Sequence, residues 1–146
     1  MRLLLDTHAL LWALAAPGEL PAGIRAALED ATNIVFASAA SAWEMAIKQA
    51  RGKLRYPAAE LSAALRRVSL IELPVTIRHA EVAARLPPLH RDPFDRMLVA
   101  QAQSEGLSLV SRDPAIRRYQ VTVLWDPEMQ SPRAAYRVKR KPRRRR

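Results

Sequence analysis

The chain has 146 residues, 49% of them apolar, no cysteine and a formal net charge of +10. That is the size of one globular domain with a sizeable core. The lack of thiols excludes disulfides, thiolate zinc or iron–sulfur sites and a cysteine nucleophile, so any metal must take O or N ligands. The charge is concentrated: residues 133–146 hold 9 of the 24 Lys and Arg and no acid, which leaves 15 basic against 14 acidic residues in residues 1–132.

Leu3-Leu4-Leu5 predicts a short buried strand closed by Asp6, and Ala9 to Leu14 continues as an apolar helix. The apolar run Ala9 to Ala16 is far short of the ~20 residues that span a bilayer. Behind a carboxylate it also makes a poor secretory leader, despite Arg2 and the A-x-A triplet Ala13-Leu14-Ala15. A soluble, cytoplasmic chain with no membrane partner is therefore expected. Pro21 suits the first position of a second helix with Ile24, Ala27 and Leu28 on one face, and Ile34-Val35-Phe36 reads as the second strand. Ala39, Trp43, Ala46, Ile47, Ala50 and Leu54 recur at the spacing of one helix face, with Gly52 where such a helix would end. On this reading Trp43 belongs to the core, while Trp12 stays open between core and interface.

A shorter helix follows on Ala58, Leu61, Leu65 and Val68, then a strand at Leu70 to Leu73 and a helix capped by Thr76 that runs to about Arg85. After a loop from Pro87 to Arg91, Asp92 and Pro93 read as N-cap and first turn of a helix carrying Phe94, Met97, Leu98 and Ala102, ended by Gly106. Leu107 to Val110 is the fourth strand. Asp113-Pro114 opens a last short helix, and Val121 to Trp125 alternates as a fifth strand at the sheet's edge. Strands separated throughout by helices predict an α/β domain in three layers: a mostly parallel sheet of about five short strands with helices on both faces. The domain is expected at residues 1–132, and the like-charged 133–146 as a basic tail, disordered in isolation.

Ligands of open parallel sheets collect outside the strands' carboxyl ends. Asp6 ends the first strand, Asp113 lies three residues past the fourth, Asp95 starts the helix before it, and Glu44 lies in the first turns of the helix after the second strand. Each acid also has an ordinary structural explanation. Asp6 and Asp113 can cap helices, Asp95 can reach back toward the cap Asp92, and Glu44 completes a Ser41-x-x-Glu44 capping box and faces Lys48 at i+4. Four acids at one sheet edge repel one another unless a cation neutralises them, and hard oxygen donors suit Mg²⁺ or Mn²⁺.

The sequence resembles the PIN-domain ribonucleases, and within them the VapC-type toxins of bacterial toxin–antitoxin pairs. The resemblance runs through residues 2 to 125, on LLLDTHALLWAL at 3–14, SAASAWEMAIKQARGKL at 38–54, HRDPFDRMLVAQA at 90–102 and LVSRDPAI at 109–116. It implies that Asp6, Glu44, Asp95 and Asp113 form the acidic site. Asp6 and Asp95 would bear most directly on Mg²⁺ (Mn²⁺ being an alternative), Glu44 and Asp113 would complete the shell or hold waters, and Ser111 would help orient the site. It leaves Asp92 as a cap, and it implies an RNA substrate, an antitoxin partner and a homodimer.

Hydrolysis by an activated water needs no histidine base. Thr7 and His8 read as a helix's first turn. His79 and His90 fall on a polar helix face and in a loop, without a metal-ligand pairing nearby. Lys48, Arg51, Lys53, Arg91, Arg96 and Arg112 flank the acidic motifs as candidate phosphate contacts, Lys48 and Arg112 first among them, although Arg96 and Arg112 could instead pair with neighbouring acids. Two other readings compete. One is a PIN-fold RNA-binding module with dispensable catalysis. The other is a receiver-like signalling domain, which would want adjacent acids after the first strand and a late lysine; Thr7 follows Asp6, and no lysine falls between Lys53 and Lys139.

Overall fold

The computed structural model of the chain describes residues 1–125; the basic segment 133–146 lies outside the described residues. In chain order come β1 (Arg2–Leu5), α1 (Thr7–Ala15), α2 (Ala22–Glu29), β2 (Ile34–Ser38), α3 (Ala39–Ala50) and α4 (Leu61–Arg67). They are followed by β3 (Ile71–Leu73), α5 (Ile77–Arg85), α6 (Pro93–Glu105), β4 (Ser108–Val110) and β5 (Val123–Leu124). The five strands form one sheet in the order β3-β2-β1-β4-β5, every neighbouring pair parallel. The chain builds outward from β1 in one direction through β2 and β3, then crosses back to β4 and β5. The reversal between β1 and β4 is the switch point at which such sheets open a crevice.

Strand alternation produces the three layers. Leu3, Leu5, Val35, Ala37 and Val110 point to one face, where they pack with Leu10, Ile24, Met45 and Leu61 from α1 to α4. Leu4, Leu73 and Leu109 point to the other, against Leu98, Val99 and Ala102 of α6, with Val82 and Ala83 of α5 beside them. Both faces of β1 are covered, which is why Leu3-Leu4-Leu5 shows no polar alternation. Among the described residues no helix is long and apolar enough to cross a membrane.

Helix ends follow local chemistry. Asp6 caps α1, Thr76 and His79 form a reciprocal capping box on α5, and Asp92 caps α6. Gly106, at φ 65°, ends α6 in the left-handed conformation that side chains disfavour. Four details differ from expectation. The last short helix is a single 3-10 turn, Ile116–Arg118, and β5 is only two residues long. The cap of α3 is Ser38, whose side chain accepts the Ala40 N–H, so Ser41 and Glu44 form no capping box.

The fourth difference is the buried face of α3. Its inward residues are Ala40, Ser41, Glu44 and Met45, while Trp43 is 66% exposed and Ala46 and Ala50 face solvent. The apolar stripe read from the sequence is thus largely the outer face. The inner face is polar because it flanks the acidic crevice, where Ser41 Oγ accepts a hydrogen bond from the Thr7 hydroxyl at 3.1 Å.

Candidate active site

Asp6 takes its place from the end of β1. Its N–H donates to Val110 O of β4 at 3.0 Å, and its carboxylate turns back to accept the Ala9 N–H at 2.7 Å. Only 5% of Asp6 is exposed. Burial pushes its carboxyl above the ordinary range and the nearby Asp113 charge adds to that, while hydrogen bonds from Ser111 and Ala9 and the charge of His8 offset part of it. Across the switch point, the segment after β4 supplies Ser111 and Asp113. Buried Ser111 accepts the Asp113 N–H at 3.1 Å, so its hydroxyl orders both acids.

Asp95 enters from the other layer, in the first turn of α6. Burial and the charges of Asp92, Glu44 and Asp6 push its carboxyl up to about 7, with His90 working in the opposite direction. Asp113 behaves differently. Its partial burial raises it, but the His90 hydrogen bond and the Ala115 N–H outweigh that and hold it below the ordinary value. Asp6, Asp95 and Asp113 line one cleft of about 280 Å³ together with His8 and Arg112. Glu44 is also buried, 5% exposed, and accepts from Lys48 Nζ at 3.3 Å. It opens onto an adjoining cleft of about 360 Å³, edged by Lys48, Arg51, Lys53 and Arg91. The four predicted acids therefore meet at the crevice, three in one cleft and Glu44 close enough for its charge to act on Asp95. Asp92 is spent as a cap, its Oδ1 accepting from Phe94 N at 2.8 Å and Asp95 N at 3.3 Å.

The two histidines stand elsewhere than the sequence suggested. His79 is buried, accepts the Thr76 N–H at Nδ1 and meets Glu105 of α6 through Nε2 at 2.8 Å, a bond between α5 and α6 rather than a polar surface position. His90 lies inside the acidic group: Nε2 is 2.8 Å from Asp113 Oδ2 and 3.2 Å from Asp95 Oδ2. These three side chains offer ligand atoms within 4.8 Å of one another. Among the basic candidates, Arg96 is committed to the fold, donating to the carbonyls of Pro87, Ala83 and Leu86 and to the Tyr119 hydroxyl. Arg112 instead stacks its guanidinium over the Trp12 ring, 4.7 Å from the centroid, and among the described residues has no carboxylate within 4.0 Å. Trp12 is half-buried and leans on Trp125. Buried carboxylates that repel one another, backed by hydroxyls and backbone N–H groups, fit a hard divalent cation by the chemistry of their donors. Another cleft, about 770 Å³ between α2, β2 and β3, lies at the other end of the sheet.

The sequence profile of the PIN domain family matches residues 3–121. No curated protein sequence matches the chain. Several solved structures share the fold. VapBC2 from Rickettsia felis, solved bound to a DNA fragment from the promoter, is 16% identical with a TM-score of 0.64, covering 86% of this chain and 100% of that one. DNA-bound VapBC from Salmonella typhimurium is 17% identical with a TM-score of 0.62, covering 86% and 99%. FitAcB from Neisseria gonorrhoeae is 21% identical with a TM-score of 0.56, covering 86% and 97%.

Proposed function

This chain belongs to the PIN domain family, whose members are generally nucleases, and from that premise we propose that it is a divalent-metal-dependent endoribonuclease acting as the toxin of a toxin–antitoxin pair. The observation that carries this reading is the convergence of buried Asp6 with partly buried Asp95 and Asp113 at the switch point, Glu44 acting on Asp95 from the adjoining cleft. Asp6 and Asp95 would hold the ion, Mg²⁺ with Mn²⁺ as the alternative, and Glu44 and Asp113 would complete its shell or hold waters. Held there, such a cation would supply a lowered water pKa and neutralisation of charge developing on the phosphate.

The chain's own residues prepare that chemistry. Ser111 and the Ala9 and Ala115 N–H groups fix carboxylate oxygens in place, so little reorganisation accompanies reaction. Water attacks phosphorus and the bond to the 3′-oxygen breaks, leaving 5′-phosphate and 3′-hydroxyl ends. Arg112 on its Trp12 platform and Lys48 beside Glu44 contact the phosphates flanking the scissile bond. The nuclease unit comprises residues 1–132, working in the cytoplasm.

Two protein partners complete the reading. Solved neighbours include VapBC and FitAB structures, and by that likeness an antitoxin binds this chain. A second copy covers the outer face of α3, where exposed Trp43 meets Phe94 edge-on at 5.8 Å between centroids, with Ala46, Ile47 and Ala50 alongside. A contiguous apolar stripe of that kind marks an interface. The test is incubation of the full chain with mixed cellular RNA in Mg²⁺ or Mn²⁺, with EDTA and Asp95→Asn as controls. Discrete cleavage lost in both controls is expected. RNA binding without cleavage in either metal would instead favour the binding-module reading.

A further inference from the structure

His90 is held by bonds that leave its ring one pattern of protonation. The Asp92 N–H donates to Nδ1 at 3.0 Å, so that nitrogen is an acceptor and the proton of the neutral imidazole resides on Nε2. Nε2 then donates to Asp113 Oδ2 at 2.8 Å, and Asp95 Oδ2 lies 3.2 Å from the same nitrogen. The backbone that carries the ring is equally determined. His90 N–H donates to the Tyr119 hydroxyl at 2.9 Å, and that hydroxyl in turn donates to Pro87 O at 3.0 Å while accepting from Arg96. Ring and backbone are therefore each fixed by a group that does not belong to the acidic set, the Asp92 N–H and the Tyr119 hydroxyl.

We propose that His90 is a positioning residue of the acidic site, a proton-bearing clip that holds Asp113 in place beside Asp95 while withholding its own nitrogen from the cation. By spacing alone His90, Asp95 and Asp113 could form a mixed nitrogen–oxygen site. The Asp92 N–H decides against it, because Nε2 could ligate only after its proton moved to Nδ1, where it would face another donor. The donor set stays all-oxygen, which suits Mg²⁺ or Mn²⁺ and disfavours ions that seek imidazole. This consequence for metal choice rests on the nuclease reading above; the protonation pattern does not.

The experiment pairs nitrogen-15 spectra of the histidine rings in the full chain, without and with Mg²⁺, with calorimetric Mg²⁺ titrations of wild type, His90→Gln and His90→Ala. Glutamine still donates an N–H from near the place of Nε2; alanine donates nothing. The expected result is an Nε2 proton on His90 in both spectra, His90→Gln within about threefold of wild-type affinity and His90→Ala weaker by about tenfold, the scale on which outer partners of metal ligands act. A proton on Nδ1, loss of the Nε2 proton on Mg²⁺ binding, or His90→Gln as weak as His90→Ala would overturn the clip. Should the wild type bind no Mg²⁺, the metal-centre reading falls, and the spectrum of the metal-free chain alone then decides: Nε2–H upholds the clip, Nδ1–H overturns it. The spectra need no variant, so a misfolded His90→Ala does not stall the test.

Discussion

At the amino end of the sheet the loop around Asp30 ties its polar groups down one by one, whereas the carboxyl end gathers acids that repel one another. Asp30 is fully exposed and accepts from both the hydroxyl and the N–H of Thr32, at 2.7 and 2.9 Å, and these bonds hold its carboxyl below the ordinary value. Its neighbour Asn33 donates to Ala27 O and accepts from the amino terminus. Asp95 is the same side chain with burial and three negative neighbours, pushed to about 7. The first aspartate is placed where its charge is welcome, the second where its charge opposes folding. A fold that keeps the second arrangement gives up stability for a site.

The contrast is broken most completely by Asp95→Asn. RNA cleavage should fall by about 10²-fold or more, the scale on which one group of a preorganised charged site is felt. The melting temperature of the metal-free protein at pH 8 should rise by about 3–6 °C, as ~1 kcal/mol gives in a domain of this length. Activity and stability thus move in opposite directions, and a fall in both would mean that Asp95 is structural.

Changing pH weakens the contrast without mutation. Asp95 binds its proton more tightly when folded than its ordinary value of 3.8 allows when unfolded. In EDTA, stability from Asp95 is therefore greatest below about 4, declines as pH rises toward 7 and levels off above it. Asp30 has the opposite sign, contributing above its ordinary value and losing that contribution on acidification. Denaturant titrations of wild type and Asp95→Asn should diverge between pH 4 and 7 and run parallel beyond. Mg²⁺ affinity should fall as pH drops below about 7, because proton and cation compete for the same carboxylate.

Smaller effects sharpen the comparison. Arg112→Ala should raise KM for RNA by about three- to tenfold and reduce the salt slope of RNA binding by about one, with kcat little changed. Ser111→Ala removes a hydrogen bond that steadies Asp6, and cleavage should drop by about fivefold, equivalent to ~1 kcal/mol. Asp30→Ala should lower the melting temperature slightly and leave cleavage untouched.

Most of the architecture was legible from Leu3-Leu4-Leu5, the Pro and Gly breaks and the caps at Asp6, Thr76 and Asp92, since these signals act within a few residues. The acids were legible by position, because strand ends in a parallel sheet are brought to one edge. Two things were not. The outward turn of Trp43 escaped a periodicity argument because the inner side of α3 carries Ser41 and Glu44, so hydrophobicity marked the wrong face. His90 escaped because its partners Asp95 and Asp113 come from an element after its loop and a segment after β4. A local signal did exist: His90 stands two residues before the cap Asp92, within reach of that residue's N–H.

The pairing of β1 with β4 sets a timetable as well as a place. Asp6 emerges early in synthesis, yet its partner Asp113 follows β4, after α6 and nearly every other element have been made. The acidic centre therefore cannot exist on a partly made chain, so a ribosome extends this polypeptide through almost its whole domain before the four acids can meet.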